Sequence, residues 1–180
     1  MKKLLAAAFL AFFALPAAAQ IDSSALYIGG SLGRSHFTNI CSFAPSSICK
    51  DRDTEWSMFA GLQFSRYLAI EAGYRDFGHA DLDSTSFKAN AMEADLVGSF
   101  PLRGGLGIIG RVGAFNGKLK GGGVEEKTVN ATFGWGVYYD VNSTAGFRLE
   151  WQRYAKMGGG DFGRETHLDS VSLAAVMRFR

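Results

Sequence analysis

Seven charged residues alternate with apolar ones along the chain, and they are the residues best suited to chemistry. They are Glu71, Arg75, Glu93, Asp95, Arg111, Arg148 and Glu150. Carboxylates and guanidiniums in apolar surroundings have to form ion pairs, because an unpaired buried charge is very costly. These residue types therefore predict a buried salt-bridge network, provided that the elements carrying them bring both signs together.

The three histidines are weaker candidates for catalysis or metal binding. His36, His79 and His167 fall near predicted loop ends, and none has a nucleophile beside it in the spacing of a lipid-hydrolysing barrel enzyme. The glycine runs at Gly121 and Gly158 lack the Lys-Ser/Thr pair of a phosphate loop. We predict no catalytic residue, no cofactor and no bound metal, and hence no enzyme. A three-histidine metal site is a minor alternative.

The stretch FRLEWQRY, residues 147–154, shows how the charges are positioned. In an extended strand, Phe147, Leu149 and Trp151 lie on one face, while Arg148 and Glu150 lie on the other. A helix would distribute these groups around its circumference. The alternation therefore predicts a strand with one apolar and one charged face.

Eight such strands are predicted. They span residues 25–36, 54–65, 68–75, 88–100, 106–116, 132–141, 147–154 and 168–179. Long polar connections at 37–53, 77–87, 118–127 and 155–166 alternate with short turns. Long loops at one end and short turns at the other are typical of transmembrane barrels. We predict an all-β fold: an eight-stranded antiparallel up-and-down transmembrane β-barrel with short periplasmic turns and four longer extracellular loops.

The composition of the two faces indicates which one is enclosed. The charged face is rich in glycine, as expected inside an eight-stranded barrel, where side chains fill the lumen. The apolar face carries all three tryptophans, and the predicted lipid-facing aromatic residues are Trp56, Tyr74, Trp135, Tyr139 and Trp151. A soluble barrel, the alternative, would show lysine and glutamate on its outside.

The N-terminus predicts export. Lys2 and Lys3 precede a short apolar run, and an Ala-x-Ala end precedes Gln20, as in a secretory signal peptide. We predict a cleaved signal peptide at residues 1–19 and an outer-membrane barrel domain at residues 20–180. The two signal-peptide lysines account for the whole formal charge of +2, so bulk charge gives no reason to expect nucleic-acid binding. In an exported chain Cys41 and Cys49 favour a disulfide, with two unpaired thiols as the alternative.

The chain resembles the small eight-stranded outer-membrane β-barrels, which include the OmpA transmembrane domain, OmpX and the neisserial surface proteins. The resemblance is carried by LAIEAGYR (68–75), FRLEWQ (147–152) and the closing Met177-Arg178-Phe179. It extends over residues 20–180 and rests on pattern more than on unique motifs. It implies a salt bridge between Glu71 and Arg148 that gates the interior.

The expected function follows from the barrel and its loops. We expect a monomeric surface barrel of the Gram-negative outer membrane with a salt-bridged, largely plugged lumen. Its expected role is structural and interactive, as an adhesin or surface antigen. The expected partners are outer-membrane lipid and lipopolysaccharide, the barrel-insertion machinery, and a host or surface ligand at the loops. A narrow gated pore for small solutes or ions is the alternative, and a lipid-modifying enzyme is the least favoured one.

Overall fold

The computed structural model describes residues 25–38, 49–82, 85–121, 124–157 and 167–179. It contains nine strands: β1 (Ala25–Phe37), β2 (Cys49–Lys50), β3 (Arg52–Gln63), β4 (Leu68–Leu82), β5 (Thr85–Pro101), β6 (Leu106–Gly121), β7 (Val124–Asp140), β8 (Ala145–Tyr154) and β9 (Leu168–Phe179). Within these ranges no helix has the length and apolar character to cross a membrane.

The eight long strands form a closed ring. Each pairs antiparallel with its two neighbours, β1 pairs with both β3 and β9, and the pairing of β4 with β5 completes the circle. The two-residue strand β2 lies outside the ring and, among the described residues, pairs with the end of β4. The predicted eight-stranded antiparallel barrel is confirmed.

Short turns join the strands at one end of the barrel, which we call the turn end; the opposite end is the loop end. In the turn between β7 and β8, the Asn142 side chain accepts hydrogen bonds from the backbone N–H groups of Thr144 and Ala145, both at 2.8 Å. In the turn between β5 and β6, Gly104 and Gly105 adopt φ values of 69° and 82°, which favour glycine. These local signals explain why the turn-end boundaries fall near their predicted positions.

Two of the predicted long loops are wrong in extent. The β4–β5 pairing continues to Leu82 and Thr85, across the loop predicted at 77–87, and the β6–β7 pairing continues to Gly121 and Val124, across the loop predicted at 118–127. Beyond the apolar belt the outward side chains become polar, so the amphipathic signal disappears although the backbone remains paired. Residues 39–48 and 158–166, in the other two predicted loops, lie outside the described residues.

A bulge marks the point where β4 leaves the apolar belt. The register with β5 shifts between Asp76 and His79, and Gly78 between them has a φ of 76°. The N–H of Gly78 donates to the Asp76 carboxylate at 2.9 Å. Glycine at this position permits the left-handed backbone that a bulge of this kind requires.

The barrel is apolar outside and polar inside. Large apolar side chains are widely exposed on the outer wall, for example Leu32 at 68%, Trp135 at 64% and Val129 at 70%. Inside, glycine makes room for larger neighbours: a Cβ at Gly61 would overlap the ring of Tyr27. An apolar wall around a polar interior is the arrangement of a membrane barrel, not of a water-soluble one.

Candidate functional site

The site that the charged residues form is the barrel lumen. All seven residues of the predicted charge network point inward and are at most 7% exposed: Glu71, Arg75, Glu93, Asp95, Arg111, Arg148 and Glu150. They come from β4, β5, β6 and β8. Period-two alternation on these strands directs each of them to the enclosed side.

A first group, the turn-side ion cluster, is centred on Glu71. Its carboxylate accepts hydrogen bonds from Arg111 and from Arg148, the latter at 2.5 Å, and from the Tyr27 hydroxyl at 2.6 Å. Arg111 also donates to Glu150 at 3.2 Å. The contact between Glu71 and Arg148 is the one that the family resemblance implied, and the structure adds Arg111 as a second cation on the same carboxylate.

A second group, the loop-side ion cluster, is centred on Arg75. Its Nη1 donates to Glu55 at 3.0 Å and to the Ser170 hydroxyl at 3.1 Å, and its Nη2 lies 3.6 Å from Glu93. The Tyr154 hydroxyl donates to Glu93. Glu55 was not among the residues predicted for the charge network. Its inward direction could have been predicted from alternation, because Glu55 lies two residues before the inward-facing Ser57 on β3.

Gln152 joins the two clusters. Its Oε1 accepts hydrogen bonds from Arg75 at 3.2 Å and Arg111 at 3.1 Å. Its Nε2 donates to Glu93 at 3.2 Å and to the Thr132 hydroxyl at 2.9 Å. The amide thus uses both of its donor hydrogens and accepts two hydrogen bonds, one from each cluster. The lumenal charges therefore form one connected network.

The network is not balanced in charge. It contains five carboxylates, with Glu55 added to the four predicted ones, and three guanidiniums. Three buried carboxylate oxygens of the network have no hydrogen-bond partner among the described residues: Glu55 Oε2, Asp95 Oδ1 and Glu150 Oε1. The excess of carboxylates over guanidiniums favours cations over anions in the lumen.

An apolar layer, which we call the apolar plug, fills the lumen on the loop side of the network. It consists of Phe37, Phe77, Ala89, Ala91, Phe115, Leu119, Tyr154, Met157 and Leu168. The Tyr154 ring makes edge-to-face contacts with Phe77 and Phe115, at centroid distances of 4.8 and 5.1 Å. This layer was not predicted from the sequence, because Phe77, Leu119 and Met157 lie in segments predicted to be loops.

The turn end is more open. A cavity of about 350 Å³ extends from the short turns to Arg148, and Tyr138, Asp140 and Arg178 are among its lining residues. Arg178 pairs with Asp140 at 2.7 Å. The Arg148 guanidinium lies 5.1 Å from the centroid of the Tyr27 ring. Solvent can therefore approach Arg148 from the turn end, but it meets the network and the plug beyond.

The five predicted lipid-facing aromatic residues lie on the outer wall. Trp56, Trp135 and Tyr139 are exposed, and Tyr74 and Trp151 are half-buried there. Trp56 and Tyr74 are in contact at 5.6 Å between ring centroids, and Trp135 lies opposite Trp151 in the β7–β8 pairing.

The histidines lie near the loop end in separate places. His36 pairs with Asp51 at 3.0 Å, and His79 lies 3.6 Å from Asp53. The ring of His167 accepts a hydrogen bond from the backbone of Lys156 at 3.3 Å. In the part of the chain that the structure describes, no three His, Cys, Asp or Glu side chains are grouped as metal ligands.

The cysteine and signal-peptide predictions fall outside the described residues. Cys41 is not among them, and the side chain of Cys49 is not described either. Residues 1–24 are likewise outside. The disulfide and the cleaved signal peptide stay predictions.

Comparison with known proteins identifies the family. The model of the family described as "Outer membrane protein beta-barrel domain" matches residues 5–179. The chain belongs to this family. The predicted family and the Gram-negative outer-membrane location are thereby confirmed. No curated protein matches the chain.

Solved structures of similar fold are small outer-membrane barrels. Neisserial surface protein A is 15% identical, with a TM-score of 0.60, and the match covers 87% of this chain and 100% of that one. Ail, the attachment invasion locus protein of Yersinia pestis, crystallised with the heparin analogue sucrose octasulfate, is 14% identical, with a TM-score of 0.58 and coverage of 87% and 99%. The N-terminal barrel domain of Pseudomonas aeruginosa OprF is 12% identical, with a TM-score of 0.55 and coverage of 86% and 100%. At these identities the likeness shows the fold.

Proposed function

We propose that this protein is a monomeric surface barrel with a closed lumen, which stabilises the outer membrane and uses its loop end to bind anionic molecules outside the cell. The turn end lies in the periplasm and the loop end outside, as the alternation of connection lengths favours. The observation that carries the proposal is the occupation of the lumen at two successive levels, by the charge network and by the apolar plug.

Each level blocks transport for a different physical reason. Opening a path through the network requires separation of buried ion pairs such as Glu71–Arg148, at a cost of about 3–5 kcal/mol for each charge left alone. In the plug, the Tyr154 ring packs against Phe77 and Phe115, and these aromatic surfaces do not replace the water around an ion. A barrel closed in both ways leaves its outer surfaces to interact with partners.

A group of outward-facing lysines supports anion binding at the loop end. Lys88, Lys118, Lys120 and Lys127 lie on three adjacent strands, with Lys88 opposite Lys120 and Lys118 opposite Lys127. Lys88 pairs with Asp76 and Lys120 with Glu125, while Lys118 has no ion pair among the described residues. Ail, which shares this fold, was crystallised with a highly sulfated ligand. Sulfated polysaccharide is therefore the ligand class that we propose first.

The adhesion proposal is tested with the whole protein in lipid nanodiscs on immobilised heparin. We expect salt-sensitive binding that weakens when Lys118, Lys120 and Lys127 are replaced by Gln, since attraction between exposed charges is screened by salt. For a matched control, replacement of Lys118 and Lys127 alone is compared with replacement of Arg66 and Arg103 at the turn end, since each pair removes the same charge. Binding that survives the lysine replacements, and also the replacement of all four loops, would end the adhesion proposal.

A narrow gated pore is the second candidate, and two observations favour it. The turn-end cavity of about 350 Å³ reaches Arg148, and the excess of carboxylates would favour cations. In planar bilayers we expect neither the wild type nor Arg148→Ala to conduct, because the plug remains in place. We expect conductance when Arg148→Ala is combined with Phe115→Ala. The outward-facing change Phe133→Ala serves as the control in the same background.

A rise in conductance for Arg148→Ala alone would make the Glu71–Arg148 pair a gate and would replace the closed-barrel proposal.

We propose no enzymatic activity. Within the described residues, no histidine contacts both a nucleophilic side chain and a carboxylate.

A further inference from the structure

A groove with an apolar floor and a cationic rim lies on the outer wall of β3, β1, β9 and β8. Its volume is about 800 Å³. Leu32, Val171 and Leu173 form the part nearer the membrane centre and are 68%, 51% and 57% exposed. Arg34 and Arg52 line it toward the loop end. The groove thus changes from apolar to basic along the direction in which a lipid changes from acyl chain to headgroup.

Strand register brings the rim residues together. His36 lies opposite Arg52 on β3 and opposite Asp169 on β9, and Arg153 on β8 lies opposite Asp169 in turn. Arg34 lies two residues before His36 on the same outward face. Side chains directly opposite one another in antiparallel strands are about 5 Å apart, so this row is compact enough to meet one headgroup.

The acidic side chains at this rim already have partners. Asp169 accepts hydrogen bonds from Arg153 at 2.6 and 2.8 Å, and Asp51 pairs with His36 at 3.0 Å. Arg34 and Arg52 are exposed and, within the residues that the structure describes, have no side-chain hydrogen bond or ion pair. Two guanidiniums at one rim are therefore available to an external anion.

We infer that this groove binds one phosphorylated, multiply acylated glycolipid of the outer leaflet, with its phosphate on Arg34 and Arg52 and an acyl chain against Leu32 and Leu173. Guanidinium matches phosphate geometry with two parallel hydrogen bonds, and basic groups above an apolar wall favour anionic lipids. The inference rests on the proposed function in one respect: the barrel must lie in the outer membrane with its loop end outward.

The test uses the whole refolded protein in nanodiscs of zwitterionic phospholipid, with diphosphoryl lipid A as the probe. Native mass spectrometry counts the bound lipid, and a titration gives its affinity. We expect one tightly bound lipid A. The Arg34→Gln/Arg52→Gln double variant should bind it roughly tenfold more weakly for each guanidinium, which corresponds to about 1.4 kcal/mol each.

Two further variants separate a site from general attraction. Arg66→Gln/Arg103→Gln removes the same charge from the turn end, away from both proposed anion sites, and should leave lipid A affinity unchanged. Arg34→Lys/Arg52→Lys keeps the charge without the bidentate geometry and should fall between the wild type and the Gln variant. All of these changes are at exposed positions, so they leave the lumen intact. A heat-dependent shift in gel mobility checks that each variant is folded.

Three results would overturn the inference. They are equal loss in the Arg34→Gln/Arg52→Gln and Arg66→Gln/Arg103→Gln variants, no loss in either, and equal displacement of lipid A by phosphatidylglycerol. None of these results affects the heparin or conductance assays, so failure of the groove and failure of the proposed function are distinguishable.

Discussion

The replacement Gln152→Leu tests whether the lumen is one connected network. Gln152 is 1% exposed and bridges the loop-side and turn-side ion clusters through four hydrogen bonds. Leucine is close to glutamine in size and has no polar atoms. The change therefore removes the bridge while it keeps most of the packing.

The expected loss of stability follows from the hydrogen bonds that the partners of Gln152 lose. Three of the four hydrogen bonds involve charged groups, on Arg75, Arg111 and Glu93, and a bond to a buried charged group contributes about 1.5–3 kcal/mol. Arg75 keeps its contact with Glu55, and Arg111 keeps those with Glu71 and Glu150. These remaining contacts offset part of the loss. We therefore expect the free energy of unfolding to fall by about 3–5 kcal/mol, the range for breaking a buried ion pair.

The assay is reversible urea unfolding of the protein in lipid vesicles, followed by tryptophan fluorescence. Gln63→Leu is the matched control, because Gln63 faces the same lumen at the turn end without a side-chain hydrogen bond among the described residues. We expect that change to cost less than about 1 kcal/mol. Equal losses for the two variants at unchanged m-value, or a loss below about 1 kcal/mol for Gln152→Leu, would refute the bridging role.

Further predictions concern orientation, packing and processing. Val112→Arg on the outer wall should lower the free energy of unfolding in bilayers by about 2–4 kcal/mol. Asn116→Arg, nearer the loop end of the same face, should lower it by only about 0–1 kcal/mol. Equal small effects in the same urea titration would mean that the wall does not face lipid. Gly134→Ala should destabilise the protein by about 1–3 kcal/mol, because the new Cβ would lie 2.5 Å from the Trp151 carbonyl oxygen. Gly110→Ala should be nearly neutral, because its Cβ would meet nothing within 4 Å. Thermal unfolding of the two variants compares their stabilities. Intact-mass analysis of protein purified from outer membranes should give Gln20 as the first residue, and a chain that retains Met1 would contradict signal-peptide cleavage.

The lumen shows where sequence analysis reaches its limit. Alternation places Glu71, Arg111 and Arg148 on the inward face, and this follows from the sequence because neighbouring residues in a strand point to opposite sides. That Arg111 and Arg148 share the Glu71 carboxylate depends on the register of β4, β6 and β8. Register between strands that are distant in sequence is set by closure of the whole sheet and leaves no local signal.

The two extended hairpins show a second limit. The segments 77–87 and 118–127 read as loops because their outward residues are polar and glycine interrupts them. The backbone stays paired there because each hairpin continues a ladder that begins inside the membrane. The loss of amphipathic pattern marked the edge of the apolar belt, and it was mistaken for the end of the strand.

The fold class, the number of barrel strands, the turn-end boundaries and the enclosed side of each strand all follow from the amino-acid pattern. These properties depend on a period of two, on turn residues such as Asn142 and Gly105, and on the contrast between an apolar wall and a charged lumen, all of which are local. Three features became visible only in the folded barrel: Gln152 joins two ion clusters, Glu55 belongs to one of them, and the plug forms around Tyr154. Those contacts join strands that are far apart in sequence, and closure of the barrel brings them together.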